Sequence, residues 1–259
     1  MKRYAMLINT VVLFLRDTLP IFLLLSVLIA LPGVPRVSLV WRVGLMLVTA
    51  VIMYSYLGVI SELAEGAGFE LLKSLLLVSA WLGMCMLAIF PYSKGRTVSL
   101  GITLLVLGIG LPNSLHFMVY FVSELTRNSD SSLLILGTTI GLGISISIAI
   151  LLNIALTHFV GAKIMFCFTT LFVAAQVANV ALLLEQIDIL PTSKQIWDSS
   201  HFISDNSEYG HLLNALIGYE ATPSMSYMML FLLSLAVPNA IAALKKHTPA
   251  LWQHVEGIR

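Results

Sequence analysis

The sequence predicts an all-α fold, a polytopic membrane bundle of seven transmembrane helices, and three observations carry that expectation. Of the 259 residues, 58% are hydrophobic and only 10% charged, with a mean hydropathy of +0.95, far from the usual range for soluble domains. Apolar runs of about twenty residues, long enough to cross a bilayer, recur along the chain between charged or Gly/Pro-rich breaks. The linkers are short, with one exception at 188–223.

The first span is expected at 5–32. Its start, MKRYAM, has the basic flank of a secretory signal, but the apolar run is too long and carries Arg16 and Asp17 within it, so it reads as a retained helix. The remaining spans are expected at 38–61, 70–91, 98–126, 132–157, 161–187 and 224–244, all within a single membrane domain of residues 1–259. Gly137 and Gly141, four apart in the fifth span, suit close helix contact. The long linker 188–223 is polar and acidic, and Leu212, Leu213, Leu216 and Ile217 give it a short helical pattern that predicts a segment lying at the membrane surface.

Seven spans place the two ends of the chain on opposite sides. Arg36, Arg42, Lys94, Arg96, Lys163, Lys245, Lys246 and Arg259 fall on one side, against Lys2, Arg3, Lys73, Arg127 and Lys194 on the other. This bias predicts a cytoplasmic C-terminus and an external N-terminus in an inner or plasma membrane, although Lys2 and Arg3 pull the other way. Glu62, Glu65, Glu70, Glu124, Asp130, Glu185, Asp188, Asp198, Asp205, Glu208 and Glu220 then lie on or near the outer face. Such a rim either concentrates cations at the mouth of a pathway or is an idle solvated face.

Several function classes drop out. A formal net charge of +1 with no basic helix face gives nucleic acid no surface. Cys85 and Cys167 stand alone in apolar runs and read as buried hydrophobes. Gly141 and Gly143 lack the rest of a dinucleotide fingerprint, the six histidines show no zinc-ligand spacing, and no hydrolase motif is present. The chain is not expected to be an enzyme and needs no resident cofactor.

Arg16 and Asp17 are the informative pair. A charge at the centre of a spanning helix costs roughly 2.5–3.5 kcal/mol on insertion scales, so both should face the bundle interior. Neighbours on a helix point about 100° apart, so each needs help from another helix. Pro20 leaves the Arg16 carbonyl without its helical donor. The pair is either functional or a buried lock on helix packing.

The stretches SELAEGAGFELLKSLLLVSAW at 61–81, GTTIGLGISISIAILL at 137–152 and IWDSSHFISDNSEYGHLLNALIGYEATPSMSYMMLFLLSLAVP at 196–238, with the Gly-Tyr-x-x-x-Pro-Ser element from Gly218 to Ser224, resemble the oxidase-dependent iron permease family of yeast and bacteria. That resemblance implies seven spans, an external N-terminus, iron as cargo and an oxidase or other external partner. It also implies Arg-Glu-x-x-Glu motifs in the first and fourth spans, whose glutamates would be the iron ligands. Here the first reads Arg16-Asp17-Thr18-Leu19-Pro20, and the second reads Asn113-Ser114-Leu115-His116-Phe117. One carboxylate, Asp17, is left as metal ligand, with Asn113, Ser114 and His116 beside it. Ferric iron prefers several hard oxygen donors, so this set better suits a less demanding divalent ion, a proton relay or a small polar solute; His116 alternatively is a neutral core histidine. The first and fourth spans run in opposite directions, predicting two inverted three-helix halves plus a C-terminal helix, with both motif remnants at mid-membrane. The sequence thus predicts transport of iron or another cation past Arg16, Asp17, Asn113, Ser114 and His116. The alternative is a transport-incompetent paralogue acting as a scaffold or accessory subunit.

Overall fold

Small residues decide where the helices meet. The computed structural model describes residues 2–30, 34, 36–89, 96–126, 131–205 and 207–244. Lys94, Arg127, Asp130 and everything after Leu244 lie outside them, as does the side chain of Glu208. Among these residues the chain forms α1 (Lys2–Ala30), α2 (Arg36–Ser55), α3 (Leu57–Glu62), a 3-10 turn (Leu63–Gly66), α4 (Gly68–Ile89), α5 (Arg96–Thr126), α6 (Ser131–Phe159), α7 (Ala162–Gln186), α8 (Glu208–Ile217) and α9 (Met225–Leu244). Seven of these helices, all but α3 and α8, are long and apolar enough to cross a membrane, and the protein is a multi-pass helical membrane protein. The predicted second span, 38–61, divides: α2 stops at Ser55 because Tyr56 leaves the helical region at φ −102° and ψ 9°. The chain then reverses through Ala64, Glu65 and Gly66, all at positive φ, a conformation that only the glycine adopts without steric cost.

α1, α5 and α7 form the centre. α1 is buried at most positions from Phe14 to Leu28, and α7 without a break from Phe172 to Ala178, as expected of largely apolar helices inside a bundle. α2, α6 and α9 are peripheral. α2 buries a single stripe, Leu39, Arg42, Met46 and Ala50, while Val37, Val40, Trp41, Val48 and Ile52 face outward. Arg42 keeps its guanidinium inside the bundle by donating to the hydroxyls of Ser38, Ser99 and Thr103.

The predicted close approach at Gly137 and Gly141 is present. A Cβ at Gly137 would lie 2.7 Å from Thr10 Cγ2, and one at Gly141 would lie 3.1 Å from the Val11 carbonyl oxygen, so α6 rests directly on α1. Hydrogen bonds reinforce the seam: Thr18 Oγ1 and Ser145 Oγ are 2.8 Å apart, Ser26 Oγ donates to the Ala149 carbonyl at 2.8 Å, and Asn153 Nδ2 donates to the Ser26 carbonyl at 2.9 Å. α4 and α5 meet in the same way at Gly83, Gly101 and Gly108.

The helix contacts agree with two inverted halves. α1 packs on α5 and α4 on α7, while the second span of each half lies against the first span of the other, α6 on α1 and α2 on α5. The largest departure from this symmetry lies between the third span of one half and the first of the other. α4 packs on α5, but the equivalent place between α7 and α1 is occupied by α8, which touches both. The segment 188–223 therefore does more than lie on the surface, because its helix is wedged into the bundle with Ala215 buried.

Candidate functional site

The wedge creates a cavity of about 290 Å³ on the side of the bundle where α1 begins, with walls from α1, α4, α5, α7 and α8. Its inner end is set by Pro20, Leu77 and Pro112. Beyond them the bundle is apolar core, including Leu23, Leu24, Val27, Met84, Leu105 and Ile109. A path from the cavity to the far side is closed in this conformation. The seam between α1 and α5 is also sealed on the near side, where Phe14 packs against Phe117, Tyr120 and Phe121 at centroid distances of 4.9, 5.5 and 6.0 Å.

Arg16 and Asp17 of α1 meet His116 of α5 at this cavity. Asp17 is buried on α1, and its Oδ2 lies 2.8 Å from His116 Nδ1 on α5. Arg16 Nε donates to Asp17 Oδ1 at 3.2 Å, and Arg16 Nη2 lies 3.2 Å from the same His116 Nδ1. One ring nitrogen cannot serve both neighbours. A guanidinium only donates, so Nδ1 either accepts from Arg16 or carries the proton and donates to Asp17. The shorter distance and the carboxylate charge favour the second arrangement, and in the neutral imidazole that tautomer puts the lone pair on His116 Nε2. This is the carboxylate–histidine pattern that orients imidazole metal ligands.

Asn113 also lines the cavity, with its Nδ2 committed to the Ile109 carbonyl at 2.7 Å. Ser114 is buried in α5 and is not part of the lining. None of the outer glutamates lines it either. Glu62 and Glu65 are exposed around the 3-10 turn, Glu70 is half-buried in the first turn of α4, and Glu124 is half-buried near the end of α5. Glu185 Oε1 accepts from Ser193 Oγ at 3.0 Å and Ser224 Oγ at 3.1 Å, tying the polar segment to the start of α9.

Sequence reading missed half of the wall. Lys73, Gln176, Asn179, Gln186, His211 and Asn214 all line the cavity. Lys73 counted as a loop charge, yet it lies in the second turn of α4. Gln176 and Asn179, three apart in AAQVANV, share one face of a buried helix, and that polar spacing in an apolar span was the signal available. His211 could not be placed without knowing that α8 turns inward. Burial and the Arg16 charge hold its imidazole below the ordinary histidine range, against the pull of Asp205 and Asp17, so it is neutral at pH 7.

Glu220 anchors the cavity wall from behind. Asn214 Nδ2 donates to the Tyr219 carbonyl at 2.9 Å and to Glu220 Oε2 at 3.3 Å, while Asp205 Oδ1 accepts from the Ala221 amide at 2.7 Å. Burial, with the charge of Asp205 and a hydrogen bond to it, pushes the Glu220 carboxyl up to about 7. Its folded value therefore exceeds its ordinary 4.5, so its contribution is full below 4.5 and is lost as pH rises through about 7. Limited proteolysis within 188–223 is expected to be faster at about pH 8 than at about pH 5 after correction for protease activity, and Glu220→Gln should flatten that difference. An unchanged pH dependence in Glu220→Gln would exclude this carboxyl as its source.

Comparison of the chain with protein-family models, with curated proteins and with solved structures gives no match.

Proposed function

We propose that the protein is a solute permease of the iron-permease build that its sequence resembles, with a divalent metal cation bound in the cavity at His116. The observation that carries this reading is the Asp17–His116 contact of 2.8 Å, which joins the two halves of the bundle at a cavity of about 290 Å³ instead of in packed core. Ionisable groups inside a membrane bundle generally mark a substrate or ion path. His116 Nε2 is the first ligand, and Asp17 acts on the ion through His116, raising the basicity of the ring. Asn113 offers a neutral oxygen nearby. Imidazole suits ferrous-type and other borderline divalent ions, whereas ferric iron prefers a shell of carboxylates. An oxidase partner, which the resemblance implies, would serve a ferric cargo and is not required by this site.

Access from one side and an apolar barrier on the other fit one state of an alternating-access cycle built on two inverted halves. Metal uptake into proteoliposomes by wild-type protein and His116→Ala tests the proposal. Wild type is expected to carry a divalent ion and His116→Ala to carry none. The scaffold reading is favoured by one observation, that Asp17 is already engaged by both Arg16 and His116; wild-type liposomes without flux would select it.

The orientation belongs to the same proposal. Arg42 and Lys73 lie inside spans, and without them the lysine and arginine bias is still seven against four. The C-terminus is then cytoplasmic and the cavity opens outward. A reporter fused after Arg259 that is active only in the cytoplasm agrees with this; activity only outside would reverse the direction of transport.

A further inference from the structure

We propose that Lys73 and Arg16 form an oxyanion subsite in the same cavity, which binds a small carboxylate or related anion beside the metal position. The inference rests on the reading of the cavity as a substrate site. Lys73 is the first observation. It lines the cavity from α4, and among the described residues it has no hydrogen bond and no ion pair; its nearest described partner is the ring of Phe69, with Nζ 5.3 Å from the centroid. Glu70, one turn earlier on the same helix, makes no ion pair with it. Asp17 and Glu70 lie within electrostatic reach of Lys73 but neither pairs with it directly; an ammonium enclosed in a membrane bundle without a direct partner is unfavourable, and an anion in the cavity supplies one.

Arg16 is the second. Its Nε is committed to Asp17, but with His116 Nδ1 carrying the proton, Nη2 gains nothing from its 3.2 Å contact with the ring and is available to donate. The cavity thus holds two fixed cations against one carboxylate, and that carboxylate is spent on Arg16 and His116. A third observation concerns the metal. No three of His, Cys, Asp and Glu come together as a metal-binding group among the described residues, so one imidazole leaves a divalent ion short of donors. A carboxylate held by Lys73 and Arg16 presents oxygens to the same space and offsets their charge. A volume of about 290 Å³ limits the anion to a small one. The shared chemistry is a carboxylate oxygen, carried either by a free anion or by the ligand shell of the metal.

Titration calorimetry on the purified full-length protein with oxalate, in chloride-free buffer with and without Mn²⁺, tests this. Wild type is expected to bind oxalate saturably, with affinity falling as salt is added. Lys73→Met should weaken binding by about tenfold or more and Lys73→Arg should retain it; Lys73→Met removes an unpaired charge, so its melting temperature should not fall. Binding without Mn²⁺ identifies a free anion, binding only with Mn²⁺ identifies an anion in the metal's shell, and both support the subsite. No oxalate binding in either arm, or equal binding by Lys73→Met, overturns it. Manganese uptake without oxalate binding would overturn the subsite and leave the permease reading standing. Oxalate binding with no uptake of either species would do the reverse.

Discussion

Asp17→Asn is expected to reduce metal uptake by about 10–100-fold, the loss typical when the carboxylate behind a ligating histidine is removed. Asparagine keeps the size and an acceptor for His116 Nδ1 but not the charge that raises the basicity of Nε2. Arg16 also loses its counter-charge. Breaking a fully buried pair costs about 3–5 kcal/mol, but the Arg16 side chain keeps 39% of its exposure in the cavity, so the stability loss falls below that range. Asp17→Glu retains the charge and should keep part of the flux. Measuring flux and melting temperature on each purified variant separates the roles: lowered stability with unchanged flux would reduce Asp17 to a packing residue.

Gly108→Leu is expected to unfold the α4–α5 seam. A Cβ there would meet the Leu76 carbonyl oxygen at 2.5 Å and the Ala80 nitrogen at 2.7 Å, and backbone cannot move aside as a side-chain tip can. The penalty should reach or exceed the upper end of the about 1–3 kcal/mol usual for overpacked cores. Because this seam holds Lys73 opposite His116, flux should vanish with the fold. Gly143→Leu is the control, since nothing lies within 4 Å of a Cβ at that position. Thermal unfolding of the two variants in the same detergent checks the contrast; equal melting temperatures would mean that the seam tolerates separation.

The spans were legible because bilayer crossing demands one long apolar run per helix, a signal that needs no tertiary information. The α1–α6 seam was legible for a similar reason, as Gly137 and Gly141 can be spaced along one helix face only for a close neighbour. Arg16 and Asp17 advertised the site by being expensive where they stand. The other wall was hidden because α8 carries an amphipathic pattern that suits a membrane surface as well as a protein groove, and nothing local distinguishes the two. Lys73 was misread for a related reason. Five residues from the start of a span, a lysine looks like a loop charge until the helix is seen to begin at Gly68 and to turn that position toward α1 and α5. Glu185 shows a role the sequence does not reveal, since its carboxylate ties the polar segment to the start of α9 through Ser193 and Ser224.

The central claim, that cargo passes through this cavity, is tested most directly by filling it. Asn179 lines the cavity from α7, and its side chain donates only to the Ala175 carbonyl of its own helix, so a bulky replacement there occupies the space without breaking a contact between helices. Proteoliposomes containing wild type are predicted to accumulate Mn²⁺ or Fe²⁺ above empty liposomes, and those containing Asn179→Trp at equal density and equal melting temperature are predicted to accumulate none. Undiminished uptake with the cavity filled, or no uptake by wild type, would contradict the account.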